Sequence, residues 1–444
     1  MTIKLPGDVK FIIDKLRDAG YEAYAVGGCV RDSILGREPD DWDITTSAKP
    51  EQIKAIFHPT IDTGIEHGTV TVLRNHVGYE VTTYRIDGVY EDNRHPKEVT
   101  FTANLKDDLL RRDFTINAMA YNDYEGLIDE YGGIEDLKNG IIRCVGVALE
   151  RFSEDALRMM RAVRFSAQLG YTIEEETKEA IRELKDNLQY ISAERINTEL
   201  TKLIMSAHPD YLRDAYELGI TAVIMPEFDV CMKQDQKHIH HCYSVGEHIL
   251  HSMLASPADK IIRYTMLFHD MGKPKCLTTD PDGTMHFHGH SMVSATMAHE
   301  IMKRLRFDND TLYSVEKLVK NHDRDIVTTG KAVRHAINEM GEDLFPLLLI
   351  VKEADTNAQS MYMREEKLET LATLWKLYDE IKEANECVTL KSLCLTGRDI
   401  IDLGMKPGPA IGDILNSLLM MVIDEPSLNN REELITKAKE LING

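Results

Sequence analysis

Residues 27–46 bring two chemical tools close together. The first is Gly27-Gly28, straight after the apolar run Tyr24-Ala25-Val26, with Arg31 three residues on. Glycines at the end of a strand let the backbone approach a phosphate closely, and a helix that follows offers free N–H groups and a positive dipole end. The second is Asp41-Trp42-Asp43. In a strand, side chains at i and i+2 point the same way, about 6.8 Å apart at Cα. Carboxylates so placed converge on hard divalent cations such as Mg²⁺. They also suit two metals about 4 Å apart for an in-line phosphoryl displacement. Taken alone, Gly-Gly is commonly a turn and Asp-x-Asp commonly a solvated strand or turn. Their occurrence together, in this order, points to phosphate chemistry.

The run Val26-Gly27-Gly28-Cys29-Val30-Arg31-Asp32, then Leu35-Gly36-Arg37, then Asp41-Trp42-Asp43-Ile44-Thr45-Thr46 resembles the opening signature of the nucleotidyltransferase superfamily. More narrowly, it is similar to the bacterial tRNA nucleotidyltransferases (CCA-adding enzymes) and their poly(A) polymerase relatives. The resemblance implies that Asp41 and Asp43 bind catalytic Mg²⁺, and that Gly28 and Arg31 hold the triphosphate. The stretch from Leu109 to Ala120, with Arg111-Arg112-Asp113 before an apolar segment, resembles the family's second motif. That likeness assigns Arg112 to the triphosphate and Asp113 to the ribose. Asp136 and Arg143 resemble a connecting motif of structural role. Glu80 shares a strand face with Thr82 and Tyr84. Alternation alone leaves it either facing solvent or delivering a third carboxylate towards Asp41 and Asp43.

Asp155 and Arg158 suggest how a base is chosen. Cytosine and adenine both present an exocyclic amine beside an accepting ring nitrogen, whereas uracil and guanine reverse the order. A carboxylate only accepts and a guanidinium only donates. Side by side they match C and A, and the pair resembles the family's Glu-Asp-x-x-Arg motif. Arg161 and Arg164 continue the stripe and are expected to face the triphosphate or the RNA backbone. The residues between these arginines are mostly apolar, so the helix is expected to be largely buried and its arginines to need partners. The stretch Ser192–Leu200 resembles the family's last neck motif, with charges that brace the neighbouring helix.

A second constellation begins near residue 230, where histidines cluster at 238, 240, 241, 248, 251, 269, 286, 288, 290 and 299. His248, the adjacent pair His269-Asp270, and Asp355 have a spacing that resembles the HD phosphohydrolase superfamily, which implies a divalent metal and an activated water. His290 and His322 match positions that extend such sites to two metals. Mixed imidazole and carboxylate donors suit a divalent transition metal: Mn²⁺, Ni²⁺, Co²⁺ or Zn²⁺.

These residues need elements to hold them. Asp8–Gly20 reads as a helix with Asp8 as N-cap, Tyr21–Val26 as a strand, and Thr69–Leu73 with Tyr79–Arg85 as a hairpin about residues 75–78. Residues 86–100 read as a mobile loop. Period-2 patterning ends near 150, and a helix capped by Ser153 opens a helical remainder. In the tail, Lys406–Gly412 reads as a tight turn into a helix N-terminus. The expected class is α+β. It comprises a nucleotidyltransferase head with a mixed sheet (1–150), a helical neck (151–225), an HD domain (226–385) and a helical tail (386–444).

Composition bounds the partners. The 444-residue chain has a net charge of −22, which disfavours a generally sticky nucleic-acid surface. Residues 141–170 nevertheless carry five arginines against three acids, so a focused site is expected. No run of about 18 apolar residues or signal-type leader is evident, and seven cysteines without Cys-x-x-Cys fit reduced thiols in a cytoplasm. The expected activity is addition of C, C and A to a tRNA 3′ end from CTP and ATP. The alternatives are a poly(A) polymerase, an A-only or CC-only enzyme, or an HD phosphohydrolase as principal activity.

Overall fold

A computed structural model describes residues 2–87, 99–237, 239, 240 and 242–443. The chain divides into two compact units, Met1–Asp229 and Val230–Gly444. The expected α+β class is observed.

In the first unit, the helix Gly7–Asp18 buries Val9, Ile12, Ile13 and Leu16 on one face. It begins after Pro6, and Asp8 is not its cap. The Asp8 carboxylate instead accepts from Arg74 and Asn75, because the hairpin turn brings these donors to it. A seven-stranded sheet follows in the order Thr60–Gly64, Thr69–Arg74, Val77–Thr83, Ile44–Thr46, Ala23–Val26, Met119–Asn122, Gly126–Asp129. It is mixed: Ile44–Thr46 runs parallel to Val77–Thr83 and antiparallel to Ala23–Val26. The first strand starts at Ala23, later than expected, and all four of its residues are buried. The hairpin turn is the two residues Asn75-His76, both at positive φ, a tighter turn than the expected four-residue one.

Asp41-Trp42-Asp43 does not lie in a strand, contrary to the spacing argument. The strand begins at Ile44, and only the Asp43 carbonyl joins the ladder, accepting from Val26 N–H at 3.0 Å. Of the expected loop 86–100, Arg85–Asp87 and Val99–Phe101 form an antiparallel pair, and residues 88–98 lie outside the described residues. His238 and His241 also lie outside them.

The expected helix start at Ser153 is corrected too. One helix spans Ala148–Glu154 and a second spans Leu157–Leu169, with the backbone extended at Asp155 between them. The Ser153 hydroxyl donates to Leu149 carbonyl, while Asp155 Oδ1 accepts from Leu157 N–H at 3.1 Å. Asp155 therefore satisfies a free N–H at the start of the arginine helix, whose N-cap position is Ala156. That helix is largely buried, as its sequence demands. Strand pairing does not stop at 150: Ile141–Ile142 pairs with Thr172–Ile173, and Thr278–Thr279 with Met285–His286.

The second unit is otherwise helical. Helices Gly330–Met340, Leu344–Ala358 and Arg364–Glu383 share a core of Val333, Phe345, Leu348 and Leu374. The tail helices Gly397–Asp402, Ala410–Asp424 and Arg431–Asn443 form another around Ile400, Leu418 and Leu434. The turn through Pro407 to Pro409 does lead into the helix Ala410–Asp424. Among the described residues no helix is long and apolar enough to cross a membrane.

Candidate functional site

Gly27 ends the first strand and precedes the helix Gly28–Ile34. Its φ of 84° and ψ of −132° form a backbone conformation open in practice to glycine alone. A Cβ there would also lie 2.9 Å from Arg112 Nη1, so the bare backbone admits the guanidinium. Gly27→Ala is expected to destabilise the fold by about 1–3 kcal/mol and to displace Arg112. Chemical denaturation and nucleotide titration check this, and parent values in both would refute it.

A cavity of about 690 Å³ opens beside these glycines. Gly28, Arg31, Asp43, Arg112, Asp113, Arg161 and Arg164 line it, so seven of the expected residues meet at one place. Asp41 and Glu80 do not line it, but their charges are felt within the same group: Asp41 acts on Asp43, and both act on Glu80. The Ile44–Val81 register sets Asp43 level with Glu80 on the neighbouring strand. Burial, then the charges of Asp43 and Asp41, push the Glu80 carboxyl up. Asp43 is pushed up by burial and by Asp41, against the pull of Arg112. Carboxylates that raise one another's affinity for protons are oxygen donors of the kind hard divalent cations prefer.

The arginines are braced from long range. Arg31 donates to Asn117 Oδ1 at 2.7 Å and pairs with Asp32 at 2.8 Å. Asn117 in turn donates to Asp113 Oδ1 at 3.1 Å. Asp113 accepts from Arg161 Nε and Nη2 at 2.8 and 2.6 Å. Burial alone would raise the Asp113 carboxyl, but Arg161 and Asn117 hold it well below the carboxylate range. Arg164 pairs with buried Glu199 at 2.8 Å; burial nevertheless pulls the guanidinium down to about 10. The Ser192–Leu200 stretch thus braces its neighbour as its charges implied. So does Arg143, which binds Asp136 at 3.1 Å and Glu174 at 2.6 Å. The guanidiniums of Arg31, Arg161 and Arg164 lie 4.9, 5.3 and 3.9 Å from the Phe165 ring. Phe165, Asn117 and Lys202 also line the cavity and were not expected from sequence. Phe165 had one signal, its place between arginines on a buried helix.

Asp155 and Arg158 do not line this cavity. Asp155 Oδ2 accepts from Arg195 at 2.7 Å, while Arg158 pairs with Glu154 and donates to the carbonyls of Arg151 and Arg111. The two side chains have separate partners because the break at Asp155 turns that residue out of the helix carrying Arg158.

The second unit holds a different centre. His248 lies in the helix Val245–Ala255, and His269-Asp270 follows Lys260–Phe268. His290 opens His290–Arg304, His322 ends Asn309–Asn321, and Asp355 lies in Leu344–Ala358. All six meet. His248, His269 and Asp270 form one group of donors within 4.8 Å of one another, and Asp270, His290 and His322 form another. Asp270 is shared, with Oδ2 3.4 Å from His248 Nε2 and Oδ1 3.2 Å from His290 Nε2. Asp355 Oδ1 is 2.9 Å from His248 Nε2. The Nδ1 atoms of His269, His290 and His322 sit 2.7, 2.9 and 2.7 Å from the carbonyls of Met266, Phe287 and Val319.

Tautomers set by those carbonyls turn Nε2 lone pairs inward. Yet Nε2 of His248 and of His269 are 3.2 Å apart, as are those of His290 and His322. Lone pairs facing at that distance repel unless a proton or a cation lies between them. Burial opposes charge on His269, but Asp270 and Asp355 hold it up to about 10. Buried Asp270 Oδ2 has no hydrogen bond, although Lys273 Nζ is 2.7 Å away. The two donor groups, with Asp270 common to both, are of the kind that would hold divalent metal. His286 lines the adjoining cavity but pairs with Asp280 at 2.8 Å, and His299 pairs with Glu316 at 2.7 Å.

Three family descriptions match parts of the chain. The Poly A polymerase head domain matches residues 23–143, and the probable RNA and SrmB-binding site of polymerase A matches 170–232. A putative tRNA nucleotidyltransferase domain 2 matches 288–438. The CCA-adding enzyme of Leuconostoc mesenteroides is 34% identical over 443 residues, covering 98% of this chain and 96% of its own. The chain belongs to the CCA-adding enzyme family. A second CCA-adding enzyme, from Pediococcus pentosaceus, is 35% identical over 437 residues, 98% of either chain. The crystal structure of the Bacillus stearothermophilus CCA-adding enzyme in complex with CTP superposes with a TM-score of 0.70 at 28% identity. That match covers 99% of this chain and 98% of the other.

Proposed function

We propose that this member of the family adds C, C and A to the 3′ end of tRNA from CTP and ATP by a two-metal phosphoryl transfer. The observation that carries the reading is the cavity where Gly28, Arg31, Asp43 and Arg112 meet. The carboxylates of Asp41, Asp43 and Glu80 would hold Mg²⁺, which would supply Lewis-acid stabilisation of the phosphoryl group and activation of the attacking 3′-hydroxyl. Arg31 and Arg112 neutralise and orient the triphosphate beside the Gly27-Gly28 backbone. Asp113 meets the ribose, held in its ionised form by Arg161. Arg161 and Arg164 lend positive charge to the nucleotide and RNA phosphates. The four-part division into head (1–150), neck (151–225), HD domain (226–385) and tail (386–444) belongs to this reading, as does a cytoplasmic location. The seven free cysteines support the latter. The test supplies tRNA lacking one, two or three terminal nucleotides with each NTP in turn and resolves products at single-nucleotide resolution. Stepwise C, C, A addition is expected. A run of A alone, or arrest after CC, would replace this reading with one of its relatives.

Asp155 and Arg158 choose the base by its edge, after leaving Arg195 and Glu154 to turn towards the cavity. Asp155 accepts from the exocyclic amine and Arg158 donates to the ring nitrogen. With U or G, like groups face each other, and each unpaired group costs about 1–3 kcal/mol, so discrimination of about tenfold or more is expected. Asp155→Ala should lose efficiency with CTP and ATP together and narrow the gap to UTP. A variant that still discriminates as the parent does would leave Asp155 only its hydrogen bond at the helix start.

The paired histidine–aspartate centre supports a second activity, HD-type phosphohydrolysis. His248, His269, Asp270 and Asp355, with His290 and His322, would hold the metal, which would supply an activated water. The cavity of about 310 Å³ that reaches Asp270, His290, His322 and Asp355 gives a phosphoester access to it.

A further inference from the structure

Asp108 ends no motif expected from sequence, yet it is fully buried in the helix Leu105–Leu110, one turn before Arg111 and Arg112. A buried carboxylate is costly unless its charge is paired and its lone pairs are used. Here both conditions hold. Oδ2 accepts from Thr45 Oγ1 at 3.0 Å. Oδ1 accepts from Arg111 Nε at 2.9 Å and from Arg85 backbone N–H at 3.4 Å. Arg111 Nη2 and Arg112 Nη2 stand 2.8 and 3.7 Å away. Burial pushes the carboxyl up, but Arg111 and Arg112 bring it below its ordinary value, so it is ionised at neutral pH.

Each contact leads to a different part of the site. Thr45 lies two residues beyond Asp43, on the strand Ile44–Thr46. Arg112 lines the nucleotide cavity with Nη1 against the Gly27 backbone. The Arg111 carbonyl accepts from Arg158 Nη2 at 3.0 Å. One carboxylate therefore ties together the strand behind Asp43, the cavity arginine and, through Arg111, the base-reading arginine.

Arg112 depends on this tie. Among the described residues Asp108 is the one carboxylate within 4 Å of it, and its Nε is buried without a hydrogen bond. A separation of 3.7 Å is an attraction of charges, too long for a hydrogen bond. The guanidinium is thus held in place while its N–H donors stay available to a ligand. Without Asp108, the next pull on Arg112 comes from Asp43, which already acts on it. A guanidinium drawn that way would compete with a cation for the Asp43 carboxylate.

We propose that Asp108 is a positioning residue for nucleotidyl transfer, which holds Arg112 at a set distance from Asp43 without touching the nucleotide. The proposal rests on the reading of Arg112 as a triphosphate ligand, so the experiment includes Arg112→Met. Asp108→Asn keeps the shape and removes the charge. Binding of CTP, of CMP and of tRNA is measured beside thermal unfolding and steady-state kinetics.

CTP affinity is expected to fall about tenfold and kcat/KM about a hundredfold, the scale of a 1 Å misplacement. CMP and tRNA binding should stay near the parent, so the CTP-to-CMP preference shrinks. Thr45→Val leaves Asp108 its charge but cuts the strand tie. It is expected to lower kcat with KM for CTP unchanged, a split that a merely structural role would not produce. If Arg112→Met keeps the parent's CTP-to-CMP preference, the triphosphate reading of Arg112 falls. If Arg112→Met loses that preference and Asp108→Asn keeps it, the positioning role is overturned. Parallel loss of CTP, CMP and tRNA binding with a lower Tm would also overturn it. Should Asp108→Asn not fold, Thr45→Val decides: the kcat loss supports the tie, and parent kinetics refute it.

Discussion

Asp43→Ala, and Asp41→Ala with it, should reduce nucleotide addition by about a thousandfold or more while tRNA binding changes little. Cation stabilisation of a transferring phosphoryl group contributes several kcal/mol, and each 1.4 kcal/mol is about tenfold in rate. Asp43 lines the cavity, and its carboxyl is raised by burial and by Asp41, so removing either acid takes a donor from the proposed metal set. RNA contact needs no such cation. Glu80→Gln should have a smaller effect, because glutamine keeps an oxygen donor where alanine keeps none. Primer-extension rates with saturating Mg²⁺, beside tRNA binding by gel shift, give the answer. Incorporation near the parent rate in either alanine variant would sink the metal assignment.

His269→Ala combined with Asp270→Ala should abolish divalent-metal retention in the second unit and any metal-dependent hydrolysis of phosphomonoesters or cyclic phosphates. Nucleotide addition should be intact. Asp270 is the carboxylate shared by both donor groups, so its loss removes a ligand from each. Asp270 and Asp355 hold His269 towards positive charge against its burial. Metal content by elemental analysis checks the site separately from turnover. A double variant that keeps its metal refutes the donor assignment. One that folds but loses nucleotide addition would make these helices part of the tRNA-positioning body and end the independent hydrolase reading.

Much of both sites was legible in the chain because their chemistry is local. Gly27-Gly28, Arg31 and Asp43 are confined to one short stretch, and His269-Asp270 are adjacent, so residue type and spacing suffice. A buried arginine helix could also be inferred, since apolar residues fill the gaps between 158, 161 and 164. What sequence could not supply was the choice among partners. Arg161 has Glu154, Asp155 and Glu199 as plausible acids, yet it binds Asp113, 48 positions away. Asp108 resembles any surface acid until folding buries it against Thr45, 63 positions away. Ser153 and Asp155 are equally good helix caps by residue type. Arg195, 40 positions away, engages the second carboxylate oxygen of Asp155, a pairing no local signal carries. The same holds for the Asp-x-Asp stretch, placed ahead of its strand by the register of the sheet. Residue types and local spacing determine which chemistry the chain can perform. The tertiary structure decides which charge meets which, because burial makes an unpaired ion costly and only the packed fold brings distant partners within reach.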